Sequence, residues 1–586
     1  MAISSINRQP ATGASCNSTS GKTRSTRRSL PLLLLSFLAF LGPAPASAFL
    51  RGLSPNSKSN SVSRRCLAAR RVVMSGSSSS SNSRPHVVVG GAGFGGLYSA
   101  LRLAELSRTS HGPPSIDITL VDRHDRFVFL PLLYELAVGD AGLEEVAPSF
   151  KALLASTGIR FVQGEIENVD IKGKTVMLMA AAEVDEEGME GGKERSVSTD
   201  AAIEDVEQQQ EAVIAPRTLS YDKLVLALGS EPILPPPSSS SDQLHQVMPF
   251  YRLEDAQALR ERLSLLNLDT TFSSPPPSSS SSSSPSLFRV VIVGGGYSGV
   301  ELAANLAARL GRDRGKVTLI DRGYQILGGS PAQVRANAGK KLEEEGVEVM
   351  LGVDVLKVSK ERVVVKDRAR ASAAGARAAN GMEGGEGEGK EEGEDEATII
   401  LAADLVVWTA GAKVSRVIQS IEGLDKDARG KIITDQGLRA GGSNGDIYVL
   451  GDSAAVRGYR GGGPAGSEGE GEKVLPSTAQ VAFQESEVVA WNVWSSVTPS
   501  APGPLVFQYT PLGEMLTLGP LDGAISSLQG MINLEGPTAS LARRLVYVMR
   551  MPTGPQRLKA AKGWVKGRTE KLKGAVRGVA AGKAER

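Results

Sequence analysis

The chain has 586 residues, enough for two or three domains with substantial cores, and 41% of them are hydrophobic. Its formal net charge of +2 conceals a polarised distribution: residues 1–85 carry twelve Lys or Arg and no acid, residues 541–586 carry thirteen basic and two acidic residues, and the body between nets −21. An acidic body argues against general nucleic-acid binding, and because both cysteines, Cys16 and Cys66, lie in the acid-free leader, disulfide, thiolate-metal and cysteine redox chemistry are excluded from the body.

At the amino terminus, Arg24, Arg27 and Arg28 precede the apolar run Leu30–Leu41, which is too short to span a bilayer and is followed by Ala46-Ser47-Ala48. This pattern predicts a signal peptide over residues 1–48, with a short membrane anchor as the other reading. Residues 49–85 begin at Phe49 and are rich in Arg and Ser without acids, a transit-peptide composition ending in a Ser-rich joint. The junction Ala46-Ser47-Ala48-Phe49 resembles the signal-plus-transit leader of algae with complex plastids, so the plastid is the expected destination.

The first strand, His86–Val89, runs into Gly91-x-Gly93-x-x-Gly96 and then directly into a helix. Glycines at this spacing allow a tight turn, backbone approach to a pyrophosphate and close helix–strand packing, while the helix start offers free N–H groups to phosphates. The next strand, Ile118–Val121, ends in Asp122, placed for ribose hydroxyls. The whole unit recurs as RVVIVGGGYSGVELA, with Gly294, Gly296 and Gly299, followed by VTLID ending in Asp321. One glycine pattern alone is weak; two, each with strand, helix, strand and terminal acid in order, point to two dinucleotide sites.

Between and after these units, YDKLVLALGS and ADLVVWTAGAK read as buried strands ending at glycine turns, at Gly229 and Gly411, that return the chain from one nucleotide domain to the other. In DIYVLGDSAA, Asp452 follows a strand where a carboxylate can bind a polyol. The tracts 182–212, 274–286, 379–396 and 461–471 lack apolar periodicity and read as spacers inserted into a fold. Continuous apolar runs alternating with helical segments predict an α/β, doubly wound architecture of two Rossmann-like domains, the second inserted in the first. Near the end, Leu558, Val565, Leu572, Val576 and Val579 share a helical face, with Trp564 beside it. Lys559, Lys562, Lys566, Arg568, Lys573 and Arg577 surround that face. A basic amphipathic helix of this kind is expected to lie on a membrane surface, with a solvated helix as the plain alternative.

Together GGAGFGGLYSALRL, DRFVFLPLLYELAVGD, GGGYSGVELA, VVWTAGA, YVLGDSA, LPSTAQVAFQE and YTPLGEMLTLG resemble, in order, the type II NAD(P)H dehydrogenases, FAD enzymes with two dinucleotide-binding domains, and most closely their plastid branch. The resemblance implies FAD on the first loop and Asp122, with Asp452 at its ribityl chain, and NAD(P)H on the second loop and Asp321. It implies Glu301 near nicotinamide and flavin, and a quinone site at Gln480 and Gln484, whose spacing of four puts both amides on one helix face. No metal site is expected. The implied domains are FAD-binding over 86–250, NAD(P)H-binding over 251–408, FAD-binding again over 409–490 with the quinone segment, and a membrane-associating region over 491–586. The implied partners are a prenylquinone, plausibly plastoquinone, and an internal plastid membrane such as the thylakoid. A homodimer is compatible with the family. Asp321 favours NADH, whereas the following Arg322 suits a 2′-phosphate, so either nucleotide remains open. Rival readings are a soluble reductase of a small redox protein and a non-catalytic nucleotide sensor.

Overall fold

The computed structural model describes residues 84–109, 116–179, 217–234, 247–266, 287–359, 361–379, 397–458, 475–527, 532–567 and 569. The predicted leader up to residue 83 and the tracts 182–212, 274–286 and 461–471 lie outside the described residues. So does 379–396 apart from its first residue.

Two five-stranded parallel sheets organise the chain. In the first, the strand order is Ile447–Val449, Lys223–Leu226, His86–Gly90, Asp117–Asp122 and Arg160–Gln163. In the second it is Glu348–Leu351, Gly315–Asp321, Phe288–Val293, Leu405–Trp408 and Val247–Pro249. Apolar runs without alternation are suited to parallel strands covered on both faces. Val88, Leu224, Leu226 and Val449 accordingly enter one core, and Val291, Val293, Ile320 and Val406 another. The expected doubly wound α/β fold is therefore present, with the middle of the chain forming the second unit. Strand Val247–Pro249, assigned from sequence to the end of the first domain, pairs instead in the second sheet, Val406 opposite Val247. A three-residue strand carries too little apolar pattern to reveal which sheet it joins.

The glycine turns at Gly229 and Gly411 flank a short antiparallel crossover, in which Ser230–Pro232 pairs with Ala412–Val414. Two further antiparallel sheets bracket inserted tracts. Leu178 pairs with Arg217 across the gap holding 182–212, and Lys366 with Thr398 across that holding 379–396.

The helices that bear on the site are α1 (Phe94–Thr109), α2 (Leu133–Ala137), α3 (Tyr297–Leu310), α4 (Ala479–Val497) and α5 (Gly536–Arg550). α1 and α4 pack side by side, with Tyr98 edge-on to Phe483 at 4.8 Å between ring centres. Thr478 caps α4 by accepting from Val481 N at 3.3 Å. The region 491–586, expected as one membrane-associating unit, divides differently. α4 continues to Val497, and Glu514–Thr517, Gly523–Ser527 and Ile532–Glu535 form an antiparallel sheet on which α5 packs. Only the helix over 554–567 matches the expected surface element: Leu558 and Val565 are each 57% exposed, and Lys562 and Lys566 are exposed. Lys559 instead ties this helix to Glu144 at 2.7 Å. Leu572, Val576, Val579, Arg568, Lys573 and Arg577 lie outside the described residues. Among the described residues, no helix is long and apolar enough to cross a membrane.

Candidate active site

Both glycine loops are built alike. Gly91 has φ +89°, and a Cβ there would meet Ala227 O at 2.4 Å; Gly294 has φ +118°, and a Cβ would meet Thr409 Oγ1 at 2.6 Å. At the helix starts a Cβ on Gly96 would lie 1.7 Å from Gly91 O, and one on Gly299 1.8 Å from Gly294 O. Only hydrogen fits there. The middle glycines, Gly93 and Gly296, meet nothing within 4 Å, so their open sides form cradles that an approaching phosphate can fill.

The strand-end acids tie these loops down. Asp122 Oδ2 accepts from Ala92 N at 2.7 Å and Oδ1 from His124 N at 2.9 Å. Asp321 Oδ2 accepts from Gly295 N and Oδ1 from Gly323 N, both at 2.6 Å. An ionised carboxylate has about four acceptor sites, so two backbone bonds leave room for ribose hydroxyls. Around the first loop lies a cleft of about 480 Å³, reached by Gly93, Asp122, Gly229, Asp452 and Ala479; around the second lies one of about 520 Å³, reached by Gly296, Asp321 and Tyr324. Gly411 is not among the cleft residues, and its place is the crossover turn. Arg322 Nε is occupied by Asp354 Oδ1 at 3.0 Å, on the surface beside the second cleft.

Asp452 sits on the turn Gly451–Ser453 after strand Ile447–Val449. Ser230 Oγ donates to Asp452 Oδ2 at 2.5 Å and stands 2.6 Å from the Tyr251 hydroxyl, so the tyrosine donates to the serine. The same turn is held from behind by Glu485, which is 1% exposed and accepts from Gly451 N at 2.6 Å. Burial pushes its carboxyl up to about 8, against the pull of the Gly451 N–H and Lys431. Ser230, Tyr251 and Glu485 carry no pattern that marks them in the sequence, although Glu485 directly follows Gln484.

Glu301 is buried, and its Oε1 accepts from Thr517 N at 3.0 Å. Burial pushes it up to about 7; Arg543 and the Thr517 N–H act in the opposite sense, and Glu135 adds to the rise. Gln480 and Gln484 share one side of α4, and both amides clasp the segment 509–513. Gln480 Oε1 accepts from Tyr509 OH at 2.6 Å and Leu512 N at 3.2 Å, while its Nε2 donates to Gly513 O at 3.3 Å. Gln484 donates to Thr510 O at 2.8 Å and accepts from Thr510 N at 3.0 Å. Each NH₂ has two hydrogens, and one of each pair is engaged by the segment. Among the described residues no cluster of His, Cys, Asp or Glu suits a metal ion.

Two clefts, each with an open glycine cradle beside a parallel sheet and a strand-end acid, mark a protein built to bind two dinucleotides. Residues 85–486 match the pyridine nucleotide-disulphide oxidoreductase family. The chain is 35% identical over 484 residues to demethylphylloquinone reductase NdbB of Synechocystis, covering 83% of this chain and 96% of that protein. It is 34% identical over 499 residues to the alternative NAD(P)H-ubiquinone oxidoreductase C1, chloroplastic/mitochondrial, of Arabidopsis thaliana, covering 82% and 81%. The structure of NDH2 from Plasmodium falciparum in complex with NADH shares the fold, with a TM-score of 0.61 at 16% identity over 83% of this chain and 98% of that one.

The chain belongs to the type II NAD(P)H:quinone oxidoreductases, with FAD and NAD(P)H as cofactors. The matched region holds no cysteine, so its chemistry differs from the disulphide exchange in the broader family's name. The open cradles at Gly93 and Gly296 and the polar turn at Asp452 fit the two dinucleotides.

Replacing Asp452 by Ala should yield protein depleted of flavin, read from the absorbance ratio of flavin to protein; full occupancy would refute its role at the polyol. Glu485 makes a separate prediction. Its folded-state affinity for a proton exceeds the ordinary carboxylate value of 4.5, so stability should fall as pH rises from there towards about 8. Glu485→Gln should flatten that slope in thermal unfolding at saturating FAD, and an unchanged slope would exclude the buried proton.

Proposed function

We propose that this enzyme sits on an internal plastid membrane and passes two electrons from NAD(P)H to a prenylquinone, with plastoquinone as the assigned acceptor. Four observations support the reading: the leader composition, the exposed Leu558 and Val565, the cyanobacterial and chloroplast relatives, and the place of α4. The last carries most weight. Thr478, Ala479 and Ala482 border the first cleft, while Gln480 and Gln484, on another side of the same helix, clasp 509–513. An acceptor entering beside that segment would reach the cleft past both glutamines, each with one N–H to offer a quinone carbonyl. A soluble reductase of a redox protein leaves this helix and the exposed apolar residues without a use.

FAD, when bound, supplies the redox centre that takes a hydride from NAD(P)H and hands two electrons to the quinone. This chain's residues do the rest. Asp122 and Asp321 orient the loops that seat the phosphates, Asp452 orients the polyol, and the glutamines position the acceptor. To Glu301, buried in α3 just after the second glycine loop with its carboxylate on Thr517 N and its proton affinity raised by burial, we assign the supply of a proton for quinol formation. The overall balance is NAD(P)H, one proton and quinone giving NAD(P)⁺ and quinol. Asp321 supports NADH, and Arg322 can turn from Asp354 to a 2′-phosphate, so both nucleotides are accepted.

Gln480→Leu and Gln484→Leu should each lower kcat/KM for a prenylquinone in liposomes by about tenfold, the loss of roughly one or two hydrogen bonds. Reduction of a small soluble acceptor should persist, and equal loss of both activities would sink the quinone assignment. A plastoquinone analogue assayed beside a demethylated naphthoquinone identifies the native class. For the membrane, Leu558→Asp with Val565→Asp should move the enzyme from sedimenting vesicles to the supernatant; unchanged sedimentation would refute the role of this helix.

A further inference from the structure

The nucleotide and quinone sites leave one group of buried charges unexplained. Glu135 in α2 is 2% exposed and Arg543 in α5 is 1% exposed. Arg543 Nη2 donates to Glu135 Oε1 at 2.7 Å, and Arg544 donates to the other carboxylate oxygen. Arg543 Nη1 also donates to the Tyr134 hydroxyl, and its guanidinium lies over the rings of Tyr134 and Tyr547, 5.8 and 5.1 Å from their centres. Its third guanidinium nitrogen, Nε, is buried with no partner among the described residues. Desolvation of two ions offsets most of their attraction, so a buried pair is a poor way to stabilise a fold; apolar side chains would serve as well or better. An ion pair kept at that cost, with one guanidinium nitrogen left without a partner among the described residues, calls for another use.

Glu301 in α3 meets the same cluster. α2 packs on α3, and strand Glu514–Thr517, which gives Glu301 its Thr517 N–H, packs on both α3 and α5. The groups that bear on Glu301 are Tyr134 and Glu135 from α2, Arg543 and Tyr547 from α5, and Tyr297 from α3 itself, with Glu514 of the strand acting on Tyr297. Only one of these is a cation, and its seat is Glu135.

We propose that Arg543, seated by Glu135, is a positioning residue for Glu301: the two opposed charges set how firmly Glu301 keeps its proton, and hence the pH range in which the enzyme delivers it to the forming quinol. The inference rests on the reading of Glu301 as the proton donor. NAD(P)H brings two electrons and one of the two hydrogens of the quinol, so one proton per turnover enters from solvent. Glu301 must therefore lose and regain a proton in each cycle. Arg543 favours its loss, whereas Glu135 favours its retention. With both present, the carboxyl sits where either step is feasible near neutral pH. Neither Arg543 nor Glu135 lines the two nucleotide clefts, so the control acts through charge and seating.

The two charges demand opposite responses, which separates this role from a merely structural one. The FAD-loaded enzyme in liposomes is titrated with pH by two readouts, the rate of reduction of a plastoquinone analogue and the infrared carbonyl band of protonated Glu301, assigned by its loss in Glu301→Gln. Arg543→Met should raise the Glu301 midpoint by about one pH unit or more, and Arg543→Lys should restore it. Glu135→Gln should lower it. A site that had merely loosened would move Glu301 towards the ordinary carboxylate range, so a lowered or unmoved midpoint in Arg543→Met overturns the proposal. Should that variant fail to fold, the near-isosteric Glu135→Gln carries the test: a lowered midpoint supports the proposal, and an unmoved or raised one overturns it. If Glu301→Gln leaves both the band and the rate profile of the parent, Glu301 is not the donor, and the proposal falls with that reading.

Discussion

Everything in this enzyme hangs on a carboxylate at the end of one strand gripping the backbone of the glycine loop at the end of its neighbour. Asp122 holds Ala92 N, and Asp321 holds Gly295 N, in two units built alike. The grip needs the strands in parallel register, His86 opposite Asp117 and Phe288 opposite Gly315, which in turn needs both sheet faces covered by helices. It also needs Gly96 and Gly299, because any Cβ there would collide with the loop carbonyl. The phosphate cradles are thus shaped by the backbone before any ligand arrives, a preorganisation that spares binding energy.

A second constraint joins the first cleft to the segment 509–513. α4 meets the Asp452 turn through Glu485, the segment 509–513 through two glutamines, and α1 through Phe483 against Tyr98. Moving this helix would disturb the Asp452 turn, the segment 509–513 and α1 together. The buried glutamate at Gly451 shows why such a helix is kept rigid. A carboxyl held protonated by burial costs stability at neutral pH, and it persists because the turn it fastens presents Asp452. Asp452 is in turn steadied by Ser230 and Tyr251, from the crossover and the start of the second domain.

The family resemblance and the two loops were legible because their chemistry is local. Gly91, Gly93 and Gly96 lie within six residues of one another, and Asp122 follows at the end of the next strand. The glutamine pair was legible as a pair, four residues apart on one face, yet its grip on 509–513 was not, since that segment lies more than twenty residues away along the chain. The domain boundary read at residue 250 separated Val247–Pro249 from the sheet it joins, and 491–586 was read as one unit, because neither a three-residue strand nor a docked sheet is marked by periodicity.

What the sequence by itself determined was the fold class, the two nucleotide loops with their acids and the cysteine-free body, which follow from residue type and short spacing; the kind of electron donor and acceptor was implied by the family resemblance that those segments carry. Only the tertiary structure decided that Glu301 is buried on Thr517, that Glu485 stands behind Asp452, and that Arg543, four hundred residues from Glu135, is seated upon it. Proton affinity depends on which charges and how much water surround a group in space. Those neighbours come from helices far apart in the chain, so no spacing along it could announce them.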